Sequence, residues 1–123
     1  MGFAKVVFRV AGIWGFVVLL PLYFLYDFVG KQDPPALTHP QFYYGFVGVA
    51  LVWQFAFLLI ASDPLRFRPF MLAAVLEKAS FVLTLIVLCL QGRLDWTQSM
   101  IGVPDAILGV LFAASFLKVS EET

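Results

Sequence analysis

The sequence predicts an all-α fold, a transmembrane up-down four-helix bundle. Three observations carry that expectation. Of the 123 residues, 62% are hydrophobic and only 13% are charged, whereas a soluble domain has about 25% charged and about 45–50% apolar residues. Four segments reach the roughly 20 apolar residues that a helix needs to cross a bilayer. The connections between them are short and hold turn residues, so successive helices run antiparallel and pack as neighbours. A closed barrel also satisfies backbone polar groups in lipid, but no segment alternates with period two.

The first span is expected over residues 4–26. Lys5 and Arg9 followed by an apolar run resemble a signal peptide, but the run Val10–Tyr26 exceeds the usual h-region of about 7–15 residues. It ends in bulky aromatics with no small-x-small cleavage site, and reads as a retained anchor. The second span covers 42–61, "FYYGFVGVALVWQFAFLLIA". The third covers 69–90, after a turn at Asp63-Pro64, with Pro69 suited to a first helical position. The fourth covers 98–119 and is interrupted by Pro104. Either this span is kinked at Pro104, or a helix starts there and Asp105 is its favourable N-terminal charge. The kinked span is preferred, because Pro104 to Lys118 is only about 22 Å long as a helix. The whole chain, 1–123, reads as one integral membrane domain.

Lys and Arg counts set the direction of threading. Lys5, Arg9, Arg66, Arg68 and Lys118 fall on one side. Lys31 and Arg93 fall on the other, offset by Asp27, Asp33 and Asp95. Both termini are therefore expected in the cytoplasm, and the membrane is expected to be a bacterial inner membrane. Tyr23, Tyr26, Tyr43, Tyr44 and Trp96 form an aromatic belt at the outer surface.

The polar residues inside the spans are the candidate site. At 100° per residue, Ala73, Glu77, Ser80, Thr84 and Gln91 share one face of the third helix. That stripe should face the bundle interior or a partner protein. Glu77 lies roughly 12 Å below the cytoplasmic boundary and Gln54 roughly 10 Å, with Arg9 a turn or two into the first helix. The expectation is a buried polar cluster, with Glu77 as acceptor and Arg9 or Gln54 as donor. Lys78 points about 100° away from Glu77 and is expected to snorkel to the headgroups. Arg66 and Arg68 are headgroup candidates too. Asp105 and Trp53 complete the set, Asp105 as the lining of a wet pocket beside the kink and Trp53 as a stacking surface for a flat hydrophobic ligand. Small residues mark close helix contacts, Gly12 and Gly15 on the first span, Gly45 and Gly48 on the second, and a stripe of Gly102, Ala106, Gly109 and Ala113 on the fourth, either within the bundle or at a homo- or hetero-oligomer interface.

Several chemistries are excluded or unsupported. Zero net charge gives no electrostatic case for nucleic acid. One cysteine, Cys89, rules out a CxxC redox pair, and one histidine, His39, rules out haem held by two histidines of the chain. The usual zinc ligand cluster is missing, as are a P-loop, a dinucleotide fingerprint, HExxH and a hydrolase elbow. No cofactor, metal or catalytic residue is expected.

The segments "HPQFYYGFVGVALVWQ", "DPLRFRP" and "LEK" resemble small bacterial four-span integral membrane proteins without an established activity. The resemblance covers most of the chain and implies the topology alone. The leading expectation is a non-catalytic subunit or interaction protein of a membrane complex, with membrane lipids and a larger complex or homo-oligomer as partners. One alternative is a binder or carrier of a hydrophobic ligand, a lipid, quinone or sterol-like molecule. The other is a small ion- or proton-coupled transporter using Glu77 and Asp105.

Overall fold

A computed structural model describes residues 2–32 and 34–121; Asp33, counted above among the outer charges, lies outside them. Among the described residues five α-helices follow one another: α1 Gly2–Leu19, α2 Tyr26–Gln32, α3 Pro40–Ser62, α4 Arg68–Leu90 and α5 Val103–Glu121. Two short 3₁₀ segments, Leu20–Phe24 and Gln98–Gly102, extend α1 and precede α5. Among the described residues four stretches are long and apolar enough to cross a membrane, Gly2–Phe24, Pro40–Ser62, Arg68–Leu90 and Gln98–Val119. This marks a multi-pass membrane protein, an all-α bundle with no strand among the described residues.

Prolines shape the ends. Pro21 has no N–H to continue the α-ladder and its ring crowds the preceding turn, so α1 tightens into 3₁₀ geometry at Leu20. The first span therefore stops at Phe24, and Tyr26, expected inside it, opens the separate short helix α2. Sequence reading missed α2, because "DFVGKQ" carries loop-like charges. In the fourth span both readings of Pro104 hold in part. The regular α-helix begins at Val103, with Pro104 and Asp105 in its first turn. The 3₁₀ segment before it supplies the remaining length, and Val103 itself is right-handed helical at φ −61, ψ −46.

The up-down order places the helices in a ring. α1 packs along α3 and against α5, α5 packs along α4, and α3 meets α4 only lightly. The centre is aromatic. Phe8, Phe57 and Phe112, from α1, α3 and α5, are fully buried. Phe8 stacks on Phe112 at 4.2 Å between centroids, and Phe57 meets Phe112 edge-on at 4.9 Å. Lipid tails are as apolar as these rings, so tight packing rather than water exclusion holds the helices together.

The α1–α3 contact depends on missing side chains. A methyl at Gly12 would stand 2.7 Å from Leu58 and 3.0 Å from the carbonyl oxygen of Gln54. At Gly15 it would fall on the Gln54 side chain. Gln54 is buried there and its Nε2 donates to the Ala50 carbonyl at 2.8 Å, an acceptor within α3 itself. Gly12→Val is expected to cost about 1–3 kcal/mol by forcing α1 off α3, read as a lower midpoint in an SDS-unfolding titration. Gly45, by contrast, has nothing within 4 Å of where a methyl would stand, and a methyl on Gly48 would lie 3.1 Å from the Tyr23 hydroxyl.

The far end of the bundle, opposite the termini, is closed by tyrosines. The Tyr43 hydroxyl donates to the Leu22 carbonyl at 2.6 Å, and Tyr26 donates to Leu37 at 2.8 Å. These carbonyls lie where the 3₁₀ turn and the loop leave acceptors unpaired by an α-ladder. Tyr26 and Tyr44 stack at 5.4 Å, and Tyr23 and Tyr44 at 6.1 Å.

Candidate functional site

The polar cluster of this bundle is built around Lys78. Its Nζ lies 3.1 Å from Asp105 Oδ1 on α5 and 3.6 Å from Glu77 Oε2 on its own helix. The first is a charge-assisted hydrogen bond; the second is within ion-pair range but too long for a hydrogen bond. The ammonium also stands 5.1 Å from the centroid of the Phe57 ring on α3, within reach of its negative face. One side chain thus joins three helices, and it is only 5% exposed.

This corrects the expectation that Lys78 snorkels to the headgroups. Helical side chains lean toward the helix N-terminus, but here the stem extends the other way. Lys78 Cβ packs opposite Gly109, 3.3 Å from where a methyl on that glycine would stand. Asp105 lies four residues before Gly109, about 6 Å along α5. Gly109 leaves room for the stem, and an Asp105 carboxylate in a low-dielectric setting holds the ammonium more strongly than a solvated headgroup would. Pro104 fixes where α5 starts, so Asp105 serves that helix terminus and Lys78 together.

Glu77 is the odd member. Its side chain is 19% exposed, that of Asp105 25%. Among the described residues Glu77 Oε2 is buried and has no hydrogen-bond partner. An ionisable group within a span costs about 2.5–3.5 kcal/mol on insertion scales, and one ammonium offsets one carboxylate. Glu77 does share a face with Ser80 and Thr84, as periodicity required, but that face points outward. Ser80 and Thr84 are exposed. Their hydroxyls donate to the carbonyls of Glu77, at 2.9 Å, and of Ser80, at 2.8 Å, which removes most of the cost of facing lipid.

The other expected members lie elsewhere. Arg9 is on the exposed side of α1 and the structure does not bring it to Glu77. Gln54 is enclosed by α1, away from the charged cluster. Trp53 is half-buried against Phe57 at 6.2 Å. Counting nine residues inward from Ser62 and from Arg68, the two ends of the α3–α4 loop, puts Trp53 and Glu77 at one height. Arg68 is held by the protein: its Nε donates to the Phe116 carbonyl at 3.0 Å and its guanidinium covers the Phe116 ring at 3.7 Å. Arg66 is exposed, near the Phe67 ring at 5.3 Å, and its backbone N–H is bonded to Asp63. His39 precedes α3 and its Nδ1 lies 3.0 Å from the Thr38 hydroxyl.

The sequence reading missed the Lys78–Asp105 pair. A signal was present: two opposite charges inside spans, with a glycine one turn after the acid. A hollow lies away from this cluster. It has about 540 Å³, opens at the far end and is lined by Leu37, His39, Phe42, Tyr43 and Phe46 among others. Among the described residues no three His, Cys, Asp or Glu side chains converge as metal ligands. Comparison with protein-family models, with curated proteins and with solved structures finds no match.

Proposed function

We propose that the protein is a non-catalytic subunit of a membrane complex, an interaction protein whose α4 meets a partner within the bilayer. The observation that carries this reading is the outward direction of the polar face of α4. Glu77, Ser80 and Thr84 occupy the middle of a span, where polar side chains ordinarily face protein. The bundle interior is filled by Phe8, Phe57 and Phe112, so the outward face around Glu77 is the surface that a second protein would cover. The charge distribution supports cytoplasmic termini, and a bacterial inner membrane belongs to the same proposal.

The test is purification from native membranes in mild detergent. A stoichiometric protein partner is expected with the wild type. Replacing Ser80 and Thr84 together by leucine should reduce its recovery several-fold while helix content, read by circular dichroism, stays unchanged. Recovery equal to wild type would sink the reading.

The hydrophobic-carrier reading has one observation in its favour, the apolar hollow between the far-end loop and α3. It is open to the surroundings and does not include Glu77, Gln54, Thr84 or Trp53, so it supports the alternative less well than the α4 face supports an interface.

A further inference from the structure

Resting on the interaction reading, we infer that the face of α4 around Glu77 docks a transmembrane helix carrying a lysine or arginine side chain near its middle. The cluster holds two carboxylates and one ammonium, and Lys78 gives its short contact to Asp105 at 3.1 Å. Glu77 Oε2, at 3.6 Å from Lys78, is left without a hydrogen-bond partner among the described residues. With both carboxylates ionised, one ammonium leaves the cluster one positive charge short, and a carboxylate so placed in a membrane takes either a second cation or a proton.

Access decides where that charge comes from. Asp105 is turned to Lys78; Glu77 Oε2 is buried, but the Glu77 side chain as a whole stays 19% exposed, on the same helix face as the exposed Ser80 and Thr84. Ser80 lies about one turn and Thr84 about two turns further along the same face. Both hydroxyl protons are committed to carbonyls of α4. Their oxygens therefore offer only lone pairs outward. Three acceptors in a row suit an ammonium with three donors or a guanidinium with five. Ala73, one turn before Glu77, is small enough to let a second helix backbone approach. Glu77 is nine residues into a span of 23, about 13 Å along the axis, so the matching cation belongs near the centre of its helix.

The experiment uses the full chain reconstituted in phosphatidylcholine vesicles with synthetic leucine-alanine transmembrane peptides. One peptide carries a central lysine and the other a central leucine; association is read by energy transfer to a label at the protein's amino terminus. The lysine peptide is expected to associate at least tenfold more tightly with the wild type. The preference should fall below twofold in Glu77→Gln. It should fall likewise in Asp105→Asn, where Glu77 is intact but Lys78 is released to neutralise it. Equal association of the two peptides with the wild type would overturn the inference and assign a proton to Glu77. A lysine preference that survives Glu77→Gln would overturn it as well. Retention of a native partner without any lysine preference would remove the charge-pairing inference and leave the interaction reading. A lysine preference with no native partner retained would do the reverse.

Discussion

Replacing Lys78 with methionine is expected to destabilise the bundle by about 3–5 kcal/mol, the range for breaking a buried pair by removing one partner. Methionine keeps much of the stem that packs against Gly109, so the loss reports the ammonium. Asp105 and Glu77 would then face each other's charge without the ammonium that now stands between them. The measurement is the free energy of SDS unfolding of the purified protein, followed by circular dichroism. A second substitution separates charge from packing: adding Asp105→Leu to Lys78→Met should recover more than half of the loss. Replacing an ion pair by apolar groups of similar volume is often neutral. A loss below about 1 kcal/mol for Lys78→Met, the size of an exposed pair, would show that the cluster contributes nothing special to stability.

The second large effect is expected from Phe112→Ala. Phe112 is fully buried and is the ring against which both Phe8 and Phe57 pack. In a soluble core such a truncation costs about 3–5 kcal/mol, part transfer and part cavity. In lipid the unfolded helices remain in an apolar medium, so the transfer part largely disappears and the lost ring contacts remain. The expected cost is therefore about 2–3 kcal/mol, below the soluble range. Phe112→Leu, which fills much of the space, should cost less than half as much. SDS-unfolding midpoints of the two variants check this order, and equal midpoints would contradict it.

Most of the spans were legible because the bilayer imposes a length and a composition that a residue string displays directly. The second and third spans begin within two residues of their expected starts, at Pro40 and Arg68, and the fourth matches its expected bounds of Gln98 and Val119. The first span is harder to bound. Pro21 changes the helix type without ending the apolar run, and α2 follows after a single residue. The site was legible in part. Periodicity put Glu77, Ser80 and Thr84 on one face, and hydrophobicity singled out Glu77, Lys78 and Asp105 as costly residues.

What the sequence by itself determined is therefore the number of spans, their alternating direction, the proline-bound ends and the membership of the polar face on α4. Only the tertiary structure decided which way that face points and which charge meets which. The reason is physical. In water the apolar side of a helix is its inner side, but in lipid apolar side chains suit both the interior and the exterior. A polar stripe then has a position around the helix and no sign. The pairing of Lys78 with Asp105, 27 residues apart, depends on how far α5 slides along α4. Gly109 sets that register by admitting the lysine stem, and this contact exists only once the two helices have packed.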